Sequence, residues 1–195
     1  MDIRKYMITD KQYFEISHDT LPIEKLRGID GCLECTDINI RYMDEEKNII
    51  ILMGTYDTSS FSNKMATSKL LAKVLEGKAV YDKAVNGDLG FLYNQYCEEI
   101  IVSFPGVAHY FWSGFDRNTG TAVESWLYND KDGNIIYEIT PLYPWNDQVL
   151  RKDPRRITYK KFMKNYKPIL QALISRETIR QWIKQGIELD KLWFV

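Results

Sequence analysis

Alternating apolar and polar positions in the middle of the chain predict antiparallel strands. Three such segments are separated by turns that contain glycine, and they cover residues 107–115, 121–129 and 135–140. Alternation of this kind is typical of strands with one buried face. We therefore predict a three-strand meander over residues 107–140. A second region of this type predicts a hairpin over residues 35–56, with its turn at residues 44–48.

Apolar residues recur at helical spacing in three other regions. The first run extends from Phe61 to Leu75 after a possible cap at residues 58–60, and it stops at Gly77, a residue type that commonly follows a helix. The second covers residues 89–104. The third covers residues 159–174, where Pro168 either kinks the helix or starts a new one, and Ser175 can cap a last helix. Strands grouped apart from helices predict an α+β fold with a mainly antiparallel sheet and a helical C-terminus.

Length and composition predict a single domain, residues 1–195. The chain is 45% hydrophobic, which is enough for a substantial core. No internal repeat and no Gly/Ser linker divides it. Residues 1–31 are poorly patterned and give no firm element.

The segment Asp130-Lys131-Asp132-Gly133 predicts the register of the last hairpin. Its residues are typical of a type I turn followed by a left-handed glycine, which pairs Asp130 with Asn134. One face of the two strands then carries Val123, Ser125, Leu127, Ile135, Tyr137 and Ile139, and the other carries Glu124, Trp126, Tyr128, Ile136, Glu138 and Thr140. The first is the predicted core face. The second mixes carboxyl groups with large aromatics, which is typical of a partly exposed surface.

We predict that Glu124, Trp126, Tyr128 and Glu138 bind a protein partner from this second face. Trp and Tyr are enriched at interface cores, where a few residues dominate the binding energy. The alternative is that helices cover these aromatics, since Trp and Tyr are commonly semi-buried. The sequence leaves both interpretations open.

Charge is distributed unevenly along the chain. Residues 1–150 carry 14 Lys and Arg against 23 Asp and Glu, whereas residues 151–195 carry 12 against 4. The opposite signs indicate that the C-terminal segment docks on the acidic body, or that each half meets its own partner. No segment has the apolar length of a signal peptide or membrane span. We therefore expect a cytoplasmic protein with no membrane partner.

The three cysteines do not form a recognisable metal or redox motif. Cys32 and Cys35 are a CxxC pair, but the second close ligand pair that zinc usually needs is missing. Cys97 lies on the apolar face of its predicted helix, and His18 and His109 are the only histidines. We expect reduced, buried thiols, no disulfide, no metal and no cofactor.

Two further function classes are weighed against protein binding. A small hydrolase would use Glu124 and Glu138, because two carboxyl groups beside aromatic rings are typical of glycosidases. A nucleic-acid-associated protein would use the basic residues 151–167. However, the apolar side chains of that segment fall on one predicted helix face, which favours packing against the domain: Tyr159, Phe162, Met163 and Tyr166. No nucleotide-binding or hydrolase motif is present, so we expect a non-enzyme, with nucleic acid the less favoured partner.

Residues 125–145, SWLYNDKDGNIIYEITPLYPW, are rich in aromatic side chains. This region, the chain length and the acidic body together resemble the small cytoplasmic immunity proteins of bacterial toxin–immunity systems, including contact-dependent inhibition. The resemblance implies a non-catalytic protein that binds a cognate toxin domain and blocks its active site. An acidic body suits a basic toxin domain, because complementary potentials speed association and select the partner.

Overall fold

The computed structural model describes residues 2–20, 36–46, 49–53, 67–81, 89–117, 119–146, 154 and 156–187 of the chain. These residues contain eight strands, which pair in chain order as one antiparallel sheet. The strands are β1 (Asp2–Met7), β2 (Gln12–Thr20), β3 (Thr36–Asp44), β4 (Ile49–Met53), β5 (Tyr110–Asp116), β6 (Ala122–Asn129), β7 (Ile135–Pro141) and β8 (Leu170–Ile174). Four helices accompany them in the described ranges: α1 (Thr67–Glu76), α2 (Leu89–Cys97), α3 (Tyr159–Lys164) and α4 (Arg176–Lys184).

One face of the sheet, here called the inner face, holds the main hydrophobic core. It carries buried side chains from all eight strands, including Tyr6, Phe14 and Tyr137. The Phe14 ring of β2 lies 5.0 Å from the Tyr137 ring of β7 in an edge-to-face arrangement. Because β2 and β7 are far apart in the strand order, this contact shows that the sheet curves around its core.

Helices α1 and α4 cover the inner face. Helix α1 ends before Gly77, whose φ of 69° is the left-handed conformation that glycine adopts readily at helix ends. Helix α4 begins after Ser175, whose hydroxyl accepts a hydrogen bond from the Thr178 amide. The Trp182 indole then donates to the Met7 carbonyl at 2.7 Å. Helix α4 therefore connects the β8 side of the sheet with β1.

The predicted fold class, α+β with a mainly antiparallel sheet, is confirmed. The meander over residues 107–140 corresponds to β5, β6 and β7. The hairpin over residues 35–56 corresponds to β3 and β4 wherever the chain is described. No helix in the described ranges is long and apolar enough to cross a membrane.

The turn between β6 and β7 has the predicted geometry. The Asp130 amide donates to the Asn134 carbonyl at 2.9 Å, and Gly133 has a φ of 83°. Trp126 consequently lies opposite Glu138, in the register that the turn chemistry predicted. The division of side chains between the two faces is therefore as expected.

The helix predicted over residues 89–104 is wrong in its second half, because α2 ends at Cys97. Glu99 adopts a left-handed φ of 57°, and the Ile100 amide donates to the Gln95 carbonyl at 2.9 Å. These are the features of a Schellman helix ending. No glycine marks this ending in the sequence, and apolar residues continue beyond it at helical spacing. The sequence pattern therefore predicted a helix that is too long.

The helix predicted over residues 159–174 is wrong beyond Lys164, because residues 170–174 form β8. In β8 the buried Leu170, Ala172 and Ile174 alternate with exposed residues. A short apolar run fits both the helical and the strand repeat. Pairing with β7 decides between them.

In the range 1–31 the structure describes residues 2–20, and these contain two strands, β1 and β2, that the sequence did not reveal. Their core side chains alternate as strands require, with Tyr6 and Phe14 buried on the inner face. Apolar residues also occupy the opposite face, at Ile3, Met7 and Tyr13. This second apolar set weakens the alternation and explains why the pattern was missed.

Candidate functional site

Helix α2 divides the outer face of the sheet, which lies opposite the inner face, into a covered part and an open part. It packs on β6 and β7, where Trp126 and Tyr128 form a second core cluster with Leu89 and Phe104. The Tyr93 ring of α2 lies 5.5 Å from the Trp126 ring. This part of the outer face is sealed from solvent.

The Glu138 carboxyl group anchors α2 to the sheet. Its Oε1 atom accepts hydrogen bonds from the Gly90 amide and the Thr140 hydroxyl, both at 2.9 Å. Its Oε2 atom accepts from the Tyr128 hydroxyl at 3.1 Å and from the Gln171 amide group at 3.4 Å. Gly90 stands in the first turn of α2, where unpaired backbone amides favour a negative group.

Close approach of α2 to β7 depends on Gly90. A Cβ atom at this position would overlap the side chain of Thr140. Only glycine therefore lets the helix amide reach Glu138. The contact joins residues 48 positions apart in the chain.

The prediction of an exposed acidic and aromatic surface is wrong for three of its four residues. Trp126 is 0% exposed, Tyr128 is 1% exposed and Glu138 is 0% exposed, because α2 covers them. The alternative interpretation, that helices cover these aromatics, is the one that the structure supports. A partner in contact with the described fold has no access to these three side chains.

Glu124, the fourth predicted residue, is half-buried at the boundary of the covered part. It lies opposite Ser113 of β5 and Thr140 of β7. Burial raises its pKa to about 7, and a hydrogen bond from the Tyr110 hydroxyl acts in the opposite direction. Its Oε2 atom is buried without a hydrogen-bond partner.

The carboxyl pair proposed for a hydrolase is not arranged for catalysis. Glu124 faces Thr140 across the strands, whereas Glu138 faces Trp126, so the two carboxyl groups occupy diagonal positions. Glu138 accepts four hydrogen bonds within the fold and is fully buried. A substrate cannot reach it.

The open part of the outer face extends over β1 to β5 and carries a set of apolar side chains. We call it the open outer face and define it by Ile3, Met7, Tyr13, Met43, Ile49, Ile51 and Phe115. Ile3 is 53% exposed, Met7 45% and Phe115 44%, and the other four are half-buried. Exposed apolar sets of this kind mark interaction sites in soluble proteins.

Strand register places six of these seven residues in two rows, and Ile3 lies in a further row opposite Ser17. Met7, Tyr13, Met43 and Ile49 are successive cross-strand partners, and they form an apolar row across four strands. The neighbouring row is Lys5, Glu15, Arg41, Ile51 and Phe115. Within that row the Arg41 guanidinium group lies 3.9 Å from the Glu15 carboxylate. The Lys5 ammonium group lies 4.7 Å from the centre of the Tyr13 ring in the first row.

Acidic side chains surround the end of the sheet next to the apolar row. In a meander the β1–β2, β3–β4 and β5–β6 turns lie at the same end. Their described residues include five acidic side chains and two basic ones: Asp10, Asp44, Glu45, Glu46 and Asp116, with Lys11 and Arg117. Lys47, in the same set of turns, lies outside the described residues. This rim favours a partner of positive charge.

The basic C-terminal segment packs by its aromatic face, as predicted. The rings of Tyr159 and Phe162 lie 5.4 and 5.5 Å from the ring of Tyr143, and the Tyr166 ring lies 5.6 Å from that of Phe91. The lysines of this segment are exposed: Lys160, Lys161, Lys164 and Lys167. Of residues 151–155, which include the basic Arg151, Lys152 and Arg155, only Pro154 is described.

Cys97 is exposed, which corrects the expectation of a buried thiol. Partial burial of the thiol itself raises its pKa, and a hydrogen bond with Tyr93 acts in the opposite direction. His109 is buried against the rings of Tyr81 and Tyr128. The described residues contain no group of three or more side chains suited to a metal ion.

Cys32 and Cys35 lie outside the described residues. The expectation of no metal and no disulfide therefore stays a prediction.

No family model, curated protein or solved structure matches the chain. The resemblance to immunity proteins consequently stays an expectation from sequence. The open outer face was missed because β1 and β2 were missed. The signal for it was the alternation within residues 3–7 and 13–17, which the apolar side chains Ile3, Met7 and Tyr13 on the second face concealed.

Proposed function

We propose that the protein is a non-catalytic binding protein that uses the open outer face to hold a protein partner. The observation that supports this most strongly is the row Met7, Tyr13, Met43 and Ile49, which runs across four strands without a covering helix in the described ranges. Met, Tyr, Phe and Arg are the residue types enriched in interface cores. The row and its neighbours contain all four types.

The proposed partner is a basic protein domain. The acidic rim at the strand turns lies beside the apolar row, so a basic surface is attracted before it makes contact. Together with the resemblance of the sequence to immunity proteins, this charge supports an immunity-type inhibitor that binds and neutralises a cognate toxin domain in the cytoplasm. In that role the protein acts by covering the toxin's active site.

The first experiment uses Tyr13→Ala with Leu173→Ala as its matched control. Leu173 is 69% exposed on β8, at the opposite edge of the sheet from β1. We expect a basic toxin domain encoded next to this chain to bind the wild type and Leu173→Ala equally. Tyr13→Ala should weaken the affinity by about 2 kcal/mol, or about 30-fold in Kd, a central value for an interface aromatic.

Calorimetry measures the affinities, and circular dichroism verifies that each variant is folded. A folded Tyr13→Ala variant with unchanged affinity would place the interface elsewhere. Substituting Glu45→Lys should slow association, most visibly at low salt. Co-expression with the toxin domain tests the inhibitor role separately: a partner that binds but is not toxic refutes the immunity function and leaves the binding surface intact.

A further inference from the structure

The outer edge of β1 is the side of that strand that faces away from β2. Because β1 is the first strand of the sheet, no strand of the described residues pairs with this edge. The Ile8 amide, just after β1, donates to the Gln12 carbonyl of β2 at 2.8 Å, and backbone groups alternate in direction along a strand. The N–H and C=O groups of Ile3, Lys5 and Met7 are therefore directed away from β2.

Helix α4 satisfies one of these outward groups, because the Trp182 indole donates to the Met7 carbonyl at 2.7 Å. This contact agrees with the direction deduced for the Met7 backbone. The remaining outward groups are the N–H and C=O of Ile3 and Lys5 and the N–H of Met7, and they have no hydrogen-bond partner among the described residues. A strand edge with unpaired backbone groups is a template for another strand.

The outer-face side chains of β1 extend the open outer face up to this edge. Ile3 and Met7 are exposed, whereas Tyr13 and Met43, which have a neighbouring strand on each side, are half-buried. Lys5 is exposed between Ile3 and Met7. A strand added at the edge covers Ile3 and Met7 and places one of its own residues directly opposite Lys5.

We propose that an extended segment of the protein partner pairs with β1 as a ninth, antiparallel strand of the sheet. The segment carries an apolar residue opposite Met7, an acidic residue opposite Lys5 and a second apolar residue opposite Ile3. Basic residues precede these positions, because an antiparallel segment begins beside the β1–β2 turn, where Asp10 belongs to the acidic rim. This inference rests on the proposed function, since the segment belongs to the partner that the open outer face holds.

A second copy of the chain is less suited to this edge. The two symmetric antiparallel registers with the longest overlap place either Lys5 or Arg4 opposite the same residue of the second copy. Like charges directly opposite each other destabilise a pair of strands. The edge therefore favours a different chain that presents an acidic residue to Lys5.

Amide hydrogen exchange, measured by NMR on the full chain, tests whether the edge accepts a strand. In the free protein the Lys5 amide should exchange fast and the Tyr6 amide slowly, because the two point to opposite sides of β1. The synthetic peptide KKVTETV at millimolar concentration should slow exchange at Lys5 by about 10-fold and leave Tyr6 unchanged. An unchanged Lys5 amide overturns the proposal. A Lys5 amide that is already slow in the free protein also overturns it, because the chain itself or a second copy then occupies the edge.

Variants of the peptide separate backbone pairing from general apolar contact. Methylation of the Glu nitrogen removes a hydrogen that faces β1 and should weaken binding about 10-fold, whereas methylation of the next Thr nitrogen, which faces away, should change it little. Replacing the peptide Glu by Lys should weaken binding about fivefold. Lys5→Glu should reverse that preference, and the control Lys131→Glu, an exposed change in the β6–β7 turn, should keep it. Equal effects of the two methylations, or an unchanged preference in Lys5→Glu, would overturn the proposal.

These measurements are independent of the Tyr13→Ala experiment, because they need no toxin domain. A peptide that does not pair with β1, together with weaker toxin binding by Tyr13→Ala, refutes the added strand and keeps the proposed function. The reverse combination refutes the proposed function and keeps the outer edge of β1 as a strand-binding site.

Discussion

Removing the Glu138 carboxyl group tests whether it holds α2 on the sheet. In Glu138→Ala, the Gly90 amide, the Thr140 hydroxyl and the Tyr128 hydroxyl each lose the acceptor seen in the structure. A buried donor left without its acceptor costs about 1–3 kcal/mol. The Thr140 hydroxyl also lies 3.0 Å from the Tyr166 hydroxyl, so part of its bonding survives. We therefore expect the free energy of unfolding to fall by about 4 kcal/mol.

A decrease of this size lowers Tm by about 8–16 °C in a chain of this length, since 1 kcal/mol corresponds to about 2–4 °C. Urea unfolding followed by circular dichroism gives the free energy. Glu138→Gln keeps the shape but points amide hydrogens at groups that are themselves donors, so it should cost about 2 kcal/mol. The control Glu177→Ala removes an exposed carboxyl group from the first turn of α4 and should change stability by less than about 1 kcal/mol. If Glu138→Ala costs no more than this control, the anchoring role assigned to Glu138 is wrong.

Two further changes test the ends of α2. Gly90→Ala should destabilise the protein by about 3 kcal/mol, because the added Cβ overlaps Thr140. In the double variant, Thr140→Gly should recover part of that loss. If the free-energy changes of the two single variants, measured by chemical unfolding, simply add in the double variant, the proposed clash is wrong. Glu99→Gly should raise stability by about 0.5–1 kcal/mol, because glycine adopts the φ of 57° more easily. The neighbouring residue Glu98 does not have a positive φ, so Glu98→Gly should instead lower stability. If thermal unfolding shows the same change in Tm for both variants, the role assigned to Glu99 in the helix ending is wrong.

The hairpin of β6 and β7 could be predicted in detail because its turn is local. Asp130 and Gly133 impose a geometry that fixes the partner of every residue in the two strands, including Trp126 and Glu138. Exposure of those residues could not be predicted in the same way. It depends on where α2 lies, and that position is set by a contact between Gly90 and Glu138 across 48 residues.

Some signals for the missed features were present in the sequence. Gly90 stands inside a strongly helical pattern, where glycine is unfavourable unless it permits a close approach. Residues 3–7 and 13–17 alternate like strands, but apolar side chains on both faces conceal the period. The ending of α2 at Glu99 carries no glycine, so no local rule identifies it.

The chain-order arrangement of the sheet has a consequence for how the protein folds. Each strand pairs with its neighbour in sequence, and four of the seven pairings join strands linked by short stretches of chain, which favours rapid folding for a β-rich protein. The β4–β5 pairing, with Ile51 opposite Phe115, closes a much longer stretch, and the contacts of α4 with β1 are the most distant, since the Trp182 and Tyr6 bonds span 175 and 179 residues. We expect these contacts to form late, so that in a variant that keeps Trp182 as its single tryptophan the stopped-flow fluorescence signal lags behind strand formation. Loss of α4 would then release β1 from these contacts. The last described helix therefore helps to keep the first strand in place.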